Sequence, residues 1–136
     1  MERCVNFSIR KANRVLNQIY DSQLAKCGLK AGQYSILRAL NELKESSNRD
    51  LQDILVIDQT TLTRGLKPLI RDGYIRSRAG EDQRLKVLSL SPQGKGLYKE
   101  ATKHWRVAQK QVASRLGEVT LEQLFTLSDS VVALKN

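Results

Sequence analysis

The sequence predicts a mainly α-helical fold with a small antiparallel β-hairpin, and three observations carry that prediction. Apolar residues recur at three- and four-residue spacing near both ends of the chain, from Val5 to Ile19 and from Leu121 to Leu134. Two runs, Tyr74 to Ala79 and Leu85 to Leu90, have β-branched, aromatic and alternating character around a charged tip, Gly80-Glu81-Asp82-Gln83-Arg84. Before them come a short helix, a tight turn and a helix with a basic face. Between Ser47 and Gly94 the order is therefore a helix-turn-helix followed by a β-wing, with positive charge at two points.

The first helix is expected from about Val5 to Lys26, where Val5, Ile9, Ala12, Leu16 and Ile19 draw one apolar stripe, and Gly28 is its stop. A second, about Ala31 to Leu43, carries Tyr34, Ile36, Leu37 and Leu40. The polar stretch Glu45-Ser46-Ser47-Asn48 breaks the pattern, and Ser47 with Asp50 forms a capping box for a short third helix, Asn48 to Leu55, with Leu51, Ile54 and Leu55 inward. Asp58 is placed to cap a fourth, Gln59 to Asp72, which Gly73 ends. Ser91-Pro92 starts a long fifth helix reaching Leu116. Thr120-Leu121-Glu122-Gln123 reads as a second capping box, opening a last helix with Leu121, Leu124, Leu127, Val131 and Leu134 on one side.

No repeat, low-complexity run or Pro/Gly-rich linker divides the 136 residues. They read as one domain of two lobes: a winged helix-turn-helix lobe over 31–94 and a helical lobe from 1–30 and 95–136. Surplus apolar surface on the terminal helices points to a partner subunit, with an intramolecular bundle as the alternative. The 23 Lys+Arg against 14 Asp+Glu, a formal charge of +9 and a pI of about 9.8 make polyanions the expected partners. Met1-Glu2-Arg3-Cys4 opens no signal-peptide pattern and no run is long and apolar enough for a membrane span, so a soluble cytoplasmic protein is expected. Cys4 and Cys27 fit neither a disulfide scaffold nor a zinc site. With one histidine, His104, no phosphate loop, no nucleophile elbow and no metal-ligand cluster, the chain reads as no enzyme and as needing no cofactor or metal.

A helical wheel divides the fourth helix. Leu62, Leu66, Leu69 and Ile70 point to the core, and Thr60, Thr61, Arg64, Lys67, Pro68 and Arg71 point away. Guanidinium and hydroxyl groups suit base edges and phosphates, and an amine suits phosphate. The candidate DNA contacts are Gln59, Thr60, Thr61, Thr63, Arg64, Lys67 and Arg71 on this helix, with Arg76, Arg78, Arg84 and Lys86 on the wing. Arg84 at the tip suits a narrow minor groove, and Asp82 is expected to pair with an arginine and shape the tip. Gly65 and Pro68 weaken the helix and allow a bend. Lys95, Lys99, Lys103, Arg106 and Lys110 stripe the fifth helix as a solvated face.

Over nearly its whole length the chain resembles the MarR family, the multiple-antibiotic-resistance regulators. The resemblance is carried by Gly28-Leu29 with Gln33, by Asp58 and Thr63-Arg64-Gly65-Leu66-Lys67-Pro68-Leu69, by Gly73-Tyr74-Ile75, and above all by Asp82-Gln83-Arg84 with Leu90-Ser91-Pro92-Gln93-Gly94. It implies a two-fold homodimer, held by the terminal helices and the distal fifth helix, that binds a pseudo-palindromic double-stranded operator and represses nearby genes. It also implies release of DNA by a small aromatic or phenolic effector bound between the lobes. Arg10, Arg14, Gln33, Tyr34 and Leu37 are the candidates to line that site, or to pack and solvate the first two helices. In the hydroperoxide-sensing branch a cysteine directly precedes a first-helix phenylalanine; here Asn6 precedes Phe7, although Tyr20 matches a tyrosine of that branch. Three further departures are Lys30 for the usual hydroxyl cap, Val56 for the common glycine of the turn, and Ser91 for threonine. The alternative to a regulator is a winged-helix interaction module that meets an acidic partner without selecting a DNA sequence.

Overall fold

The computed structural model describes residues 1–135. In chain order the elements are α1 (Val5–Leu24), a 3₁₀ turn (Ala25–Cys27), α2 (Ala31–Leu43), β1 (Glu45–Ser47), α3 (Asn48–Leu55), α4 (Gln59–Arg71), β2 (Ile75–Ala79), β3 (Lys86–Leu90), α5 (Pro92–Leu116) and α6 (Glu118–Val132). The three strands form an antiparallel sheet in the order β1-β3-β2.

Short polar side chains start three of the helices. Ser47 Oγ accepts from the Asp50 N–H at 3.0 Å, Asp58 Oδ1 from Thr61 at 2.7 Å, and Ser91 Oγ from Gly94 at 3.0 Å, so each satisfies an otherwise orphaned first-turn donor. A lysine at position 30 has no acceptor to offer α2. Its own N–H is instead taken by Gln33 Oε1 at 3.0 Å, and the Ala31 N–H by Asp21 Oδ1 from α1 at 2.7 Å, so a tertiary contact replaces the missing hydroxyl.

Three helix ends use one closure. A residue in the left-handed region is followed by an N–H that reaches back five residues: Leu29 to Leu24 O past Gly28, Ile57 to Gln52 O past Val56, and Tyr74 to Leu69 O past Gly73. Glycine occupies that conformation without a Cβ penalty, but Val56 at φ 54° and ψ 48° does not. The turn of the helix-turn-helix therefore carries backbone strain of about 1–2 kcal/mol.

Several expectations need correction. The polar break at 45–47 is a strand: Glu45, Ser46 and Ser47 pair with Ser89, Leu88 and Val87, and the pairing comes from the wing rather than from local propensity. The last helix starts at Glu118, not at the box beginning with Thr120. Gly117, at φ 82°, joins it to α5 without a linker and its carbonyl accepts from Leu121. Ile54 and Ile70 are 53% and 39% exposed, because Leu51 takes the inward position of α3 and Leu62, Leu66 and Leu69 fill that of α4. Pro68 is half-buried rather than outward. Gly65 has a packing role, since a Cβ there would lie 2.9 Å from Ile36 Cδ1 on α2.

The core lies under the sheet, where Leu24, Leu37, Leu40, Leu51, Leu62 and Leu88 from five different elements are almost fully buried. Tyr34 extends it to α5: its ring stacks on Tyr98 and Trp105 with centroids 5.6 and 5.9 Å apart, and its hydroxyl bonds Thr102 Oγ1 at 2.9 Å. The ends of the chain are different. The first half of α1 exposes Val5, Phe7 and Ile9, and α6 packs on α5 without burying a single residue.

Candidate nucleic-acid interface

The outward face of α4 is solvent-accessible throughout: Gln59, Thr60, Thr61, Thr63, Arg64, Lys67 and Arg71 are all exposed. Its register is set from both sides, by the Asp58 cap and by Leu62, Leu66 and Leu69 in the core. The Asp58 carboxyl is held below its ordinary range chiefly by the Thr61 N–H it accepts, which keeps the cap charged at the positive end of the helix.

Between α4 and the wing runs a cleft of about 470 Å³. Gln59, Thr63, Lys67 and Arg71 line it from the helix, and Arg84 and Lys86 from the wing, over a floor of Leu62, Leu66 and Leu88. Residues separated by up to 27 positions in sequence thus share one concave basic surface. Asn48, Gln52 and Ser77, none of them among the candidate contacts the sequence singles out, line the same cleft. Asn48 and Gln52 lie four apart on α3, and the only sequence signal for them was that spacing.

Other candidates fall outside the cleft. Thr61 and Arg64 line a second cavity, and Thr60 lines neither. Arg76 and Arg78 stand exposed on β2, where Arg78 Nη2 contacts Glu45 Oε2 at 3.2 Å and ties β2 to the far edge strand.

At the wing tip, Asp82 holds Arg84 by three bonds. Its Oδ1 accepts from the Arg84 N–H at 3.0 Å and from Nε at 3.2 Å, and its Oδ2 accepts from Nη2 at 3.3 Å. The guanidinium beside it, and then the backbone N–H, keep the Asp82 carboxyl below the usual carboxylate range. The expected pairing is present, and Arg84 is presented at the tip with its side chain 89% exposed. Asp72 similarly engages Arg71 at 3.0 and 3.2 Å, which lowers its own pKa and raises that of the arginine. Of the three anions from Arg64 to Lys86, two are thus held against arginines, and the surface offered to a partner is positive.

The five candidate effector residues do not share a cavity. Tyr34 and Leu37 are core, Arg10 and Arg14 are exposed on α1, and Gln33 is engaged as the cap of α2. Gln33 also lines a cavity of about 600 Å³ where α1, the start of α2 and α4 meet. Its mouth carries Lys30 and Arg64, and its wall Ile36, Leu55 and Ile57.

The thiols are unlike one another. Cys4 is exposed and its Sγ accepts from the Phe7 N–H at 3.4 Å, capping α1, whereas Cys27 is half-buried and its pKa is raised by burial and then by Glu100. Among the described residues no helix is long and apolar enough to cross a membrane.

Known proteins share this arrangement. Residues 29–86 match the MarR family. The homoprotocatechuate degradative operon repressor of Escherichia coli is 30% identical over 105 residues, which cover 76% of this chain and 71% of that protein. An uncharacterized HTH-type transcriptional regulator of Bacillus subtilis, YwoH, is 28% identical over 92 residues, covering 68% and 67% of the two chains. The crystal structure of the M. tuberculosis transcriptional regulator MosR in complex with DNA superimposes with a TM-score of 0.84 at 30% identity, over 98% of this chain and 100% of that one.

Proposed function

Because the chain belongs to the MarR family and is a DNA-binding transcriptional regulator, we propose that it acts as a homodimeric repressor of a pseudo-palindromic operator, with α4 in the major groove and Arg84 in the adjacent minor groove. The observation that carries this reading is the single basic cleft into which α4 and the wing bring Gln59, Thr63, Lys67, Arg71, Arg84 and Lys86. Such a surface supplies phosphate contacts from its cations and base-edge contacts from Gln59, Thr63 and the arginines. Thr60, Thr61 and Arg64 flank it on α4 as further contacts, and Arg76 and Arg78, which alternate with the cleft-lining Ser77 and so lie on the other face of the wing, add positive charge for the neighbouring backbone. Asp82 acts through Arg84.

The dimer follows from surface that one chain leaves bare. Val5, Phe7 and Ile9 on α1, Val119, Phe125, Leu127 and Val131 on α6, and Leu134 just beyond it are exposed in numbers a soluble monomer seldom carries. A two-fold partner buries them and doubles the reading head, which makes the operator pseudo-palindromic. Residues 31–94 then serve as the DNA lobe and residues 1–30 and 95–136 as the dimerisation lobe, working on the chromosome in the cytoplasm. For a small aromatic acid, the cavity holding Gln33, Lys30 and Arg64 is a better fit than the core around Tyr34 and Leu37. Its lining combines two cations, Lys30 and Arg64, with apolar Ile36, Leu55 and Ile57, and its one carboxylate, Asp21, is engaged by the Ala31 N–H.

The test is selection of duplexes from a random pool by the full-length chain, followed by gel shifts with and without nonspecific competitor. Enrichment of an inverted repeat, bound two protomers to one duplex, is expected. Binding that competitor DNA abolishes, with no enriched sequence, refutes the regulator reading. A panel of aromatic acids added to the selected complex tests release.

A further inference from the structure

The geometry points to Asn48 as the positioning residue that sets the wing against the helix-turn-helix, an inference that rests on the DNA-binding reading above. Ser47 pairs with Val87 in the antiparallel ladder between β1 and β3, so the next rung would join residue 48 to Lys86. No backbone rung forms there, because the chain has already turned into α3. The side chain supplies it instead: Asn48 Oδ1 accepts from the Lys86 N–H at 3.1 Å. The donor is a peptide N–H and needs an oxygen, which settles which way the Asn48 amide faces.

This side-chain rung lies where the wing most needs support. Beyond Lys86 the tip is held by its own bonds: Gly80 N–H to Leu85 O at 3.0 Å, Leu85 N–H to Asp82 O at 2.9 Å, and the bonds from Asp82 to Arg84. Beside the backbone ladder, the other side-chain link between β1 and the wing strands, Glu45 to Arg78, sits at the opposite end of β1. Asn48 therefore makes the last hydrogen bond from α3 to the wing before the tip, where the Arg49 charge also acts on Asp82, and the orientation of Arg84 relative to α4 is set through that bond. Asn48 lines the cleft, but its role is to aim another residue.

The experiment uses the full-length protein and the duplex it selects from the random pool. Asn48→Ala, Arg84→Ala and the double variant are titrated over a salt series, and amide exchange at Lys86 and Arg84 is followed by NMR in the DNA-free protein. Asn48→Ala should weaken binding by roughly 3- to 10-fold. The double variant should bind within about 2-fold of Arg84→Ala, because a misaimed and a missing guanidinium are equivalent. Exchange at Lys86 should accelerate in Asn48→Ala and return toward the parent value in Asn48→Asp, whose carboxylate accepts the same bond. Losses that multiply in the double variant make Asn48 an independent DNA contact and overturn the proposal. So does unchanged Lys86 exchange in Asn48→Ala. If the parent selects no duplex, the regulator reading fails, while the exchange data still decide whether Asn48 holds the wing.

Discussion

Gly94 and Gly96 lie two residues apart at the start of α5, and alanine should have opposite effects at the two positions. An ideal Cβ at Gly94 falls 2.0 Å from the Tyr74 carbonyl oxygen and 3.0 Å from its carbon, where an ordinary contact requires at least 3.4 Å. Neither side yields easily. Ser91 joins them, since its N–H donates to Tyr74 O at 3.0 Å, its hydroxyl donates to Gly73 O, and its Oγ accepts from Gly94 at 3.0 Å. Opening the gap costs about 1–3 kcal/mol of overpacking and about 1 kcal/mol for a lost bond of this cluster. Gly94→Ala should therefore be destabilised by about 2–4 kcal/mol, a fall of roughly 8–15 °C in Tm for a chain of this size. A Cβ at Gly96 meets nothing within 4 Å, so Gly96→Ala gains only helix propensity, about 0.5–1 kcal/mol, and Tm should rise by roughly 2–4 °C. Thermal melts followed by circular dichroism, at one fixed protomer concentration, make the comparison. A Gly94→Ala variant that melts with the parent would refute the claim that this joint is closed.

Four further predictions concern the turn, the interface and the thiols. Val56→Gly should stabilise the fold by about 1 kcal/mol in a urea titration, less glycine's entropy cost, because it removes a β-branched side chain from the left-handed region. Arg64→Ala should cost about 1–3 kcal/mol on the selected duplex and reduce discrimination, whereas Arg84→Ala should weaken all duplexes and flatten the salt dependence; competition titrations distinguish the two. Asp82 has a lowered folded-state pKa, so its hold on Arg84 is complete above the ordinary carboxylate range and is lost only as pH falls through that depressed value. Binding should show no Asp82-dependent change from about pH 5 to 8, and Asp82→Asn should bind more weakly across that whole window. Cys27, half-buried and shifted upward, should be alkylated by iodoacetamide more slowly than Cys4, as mass spectrometry of timed quenches would show.

The helices and the wing were legible because local chemistry and global packing agree there. Ser47, Asp58 and Ser91 cap where their residue types predict, and Gly28, Gly73 and Gly117 take the positive φ their positions demand. What escaped the sequence was nonlocal. Glu45–Ser47 has no strand propensity and is a strand only because β3 passes beside it. The Thr120 box lost to Gly117, whose geometry lets the last helix begin at once. In the interface, a helical wheel places Thr60, Thr61, Arg64, Lys67 and Arg71 outward, as they are, but it misassigns Ile70 and Pro68 and cannot tell which outward residues the wing meets. Thr63 and Lys67 face it, whereas Thr61 and Arg64 turn toward α1 and α2. Of the residues near the lobe junction, Tyr34 and Leu37 lie on the inward side of α2 and Arg10 and Arg14 on the open side of α1, a division that packing against the rest of the fold decides.

Ser47 closes the strand β1 and caps the helix α3, so no linker residue separates the sheet from the helix-turn-helix. The wing cannot swing while α3 and α4 stay still. The reach from reading helix to wing tip is consequently a fixed length of this lobe, like the gap of a set caliper. One residue inserted after Ser47 would uncap α3 and, if the strand slipped to recover the cap, would turn its side chains to the opposite face of the sheet. Loop length can therefore vary at the wing tip in this chain, but not at this junction.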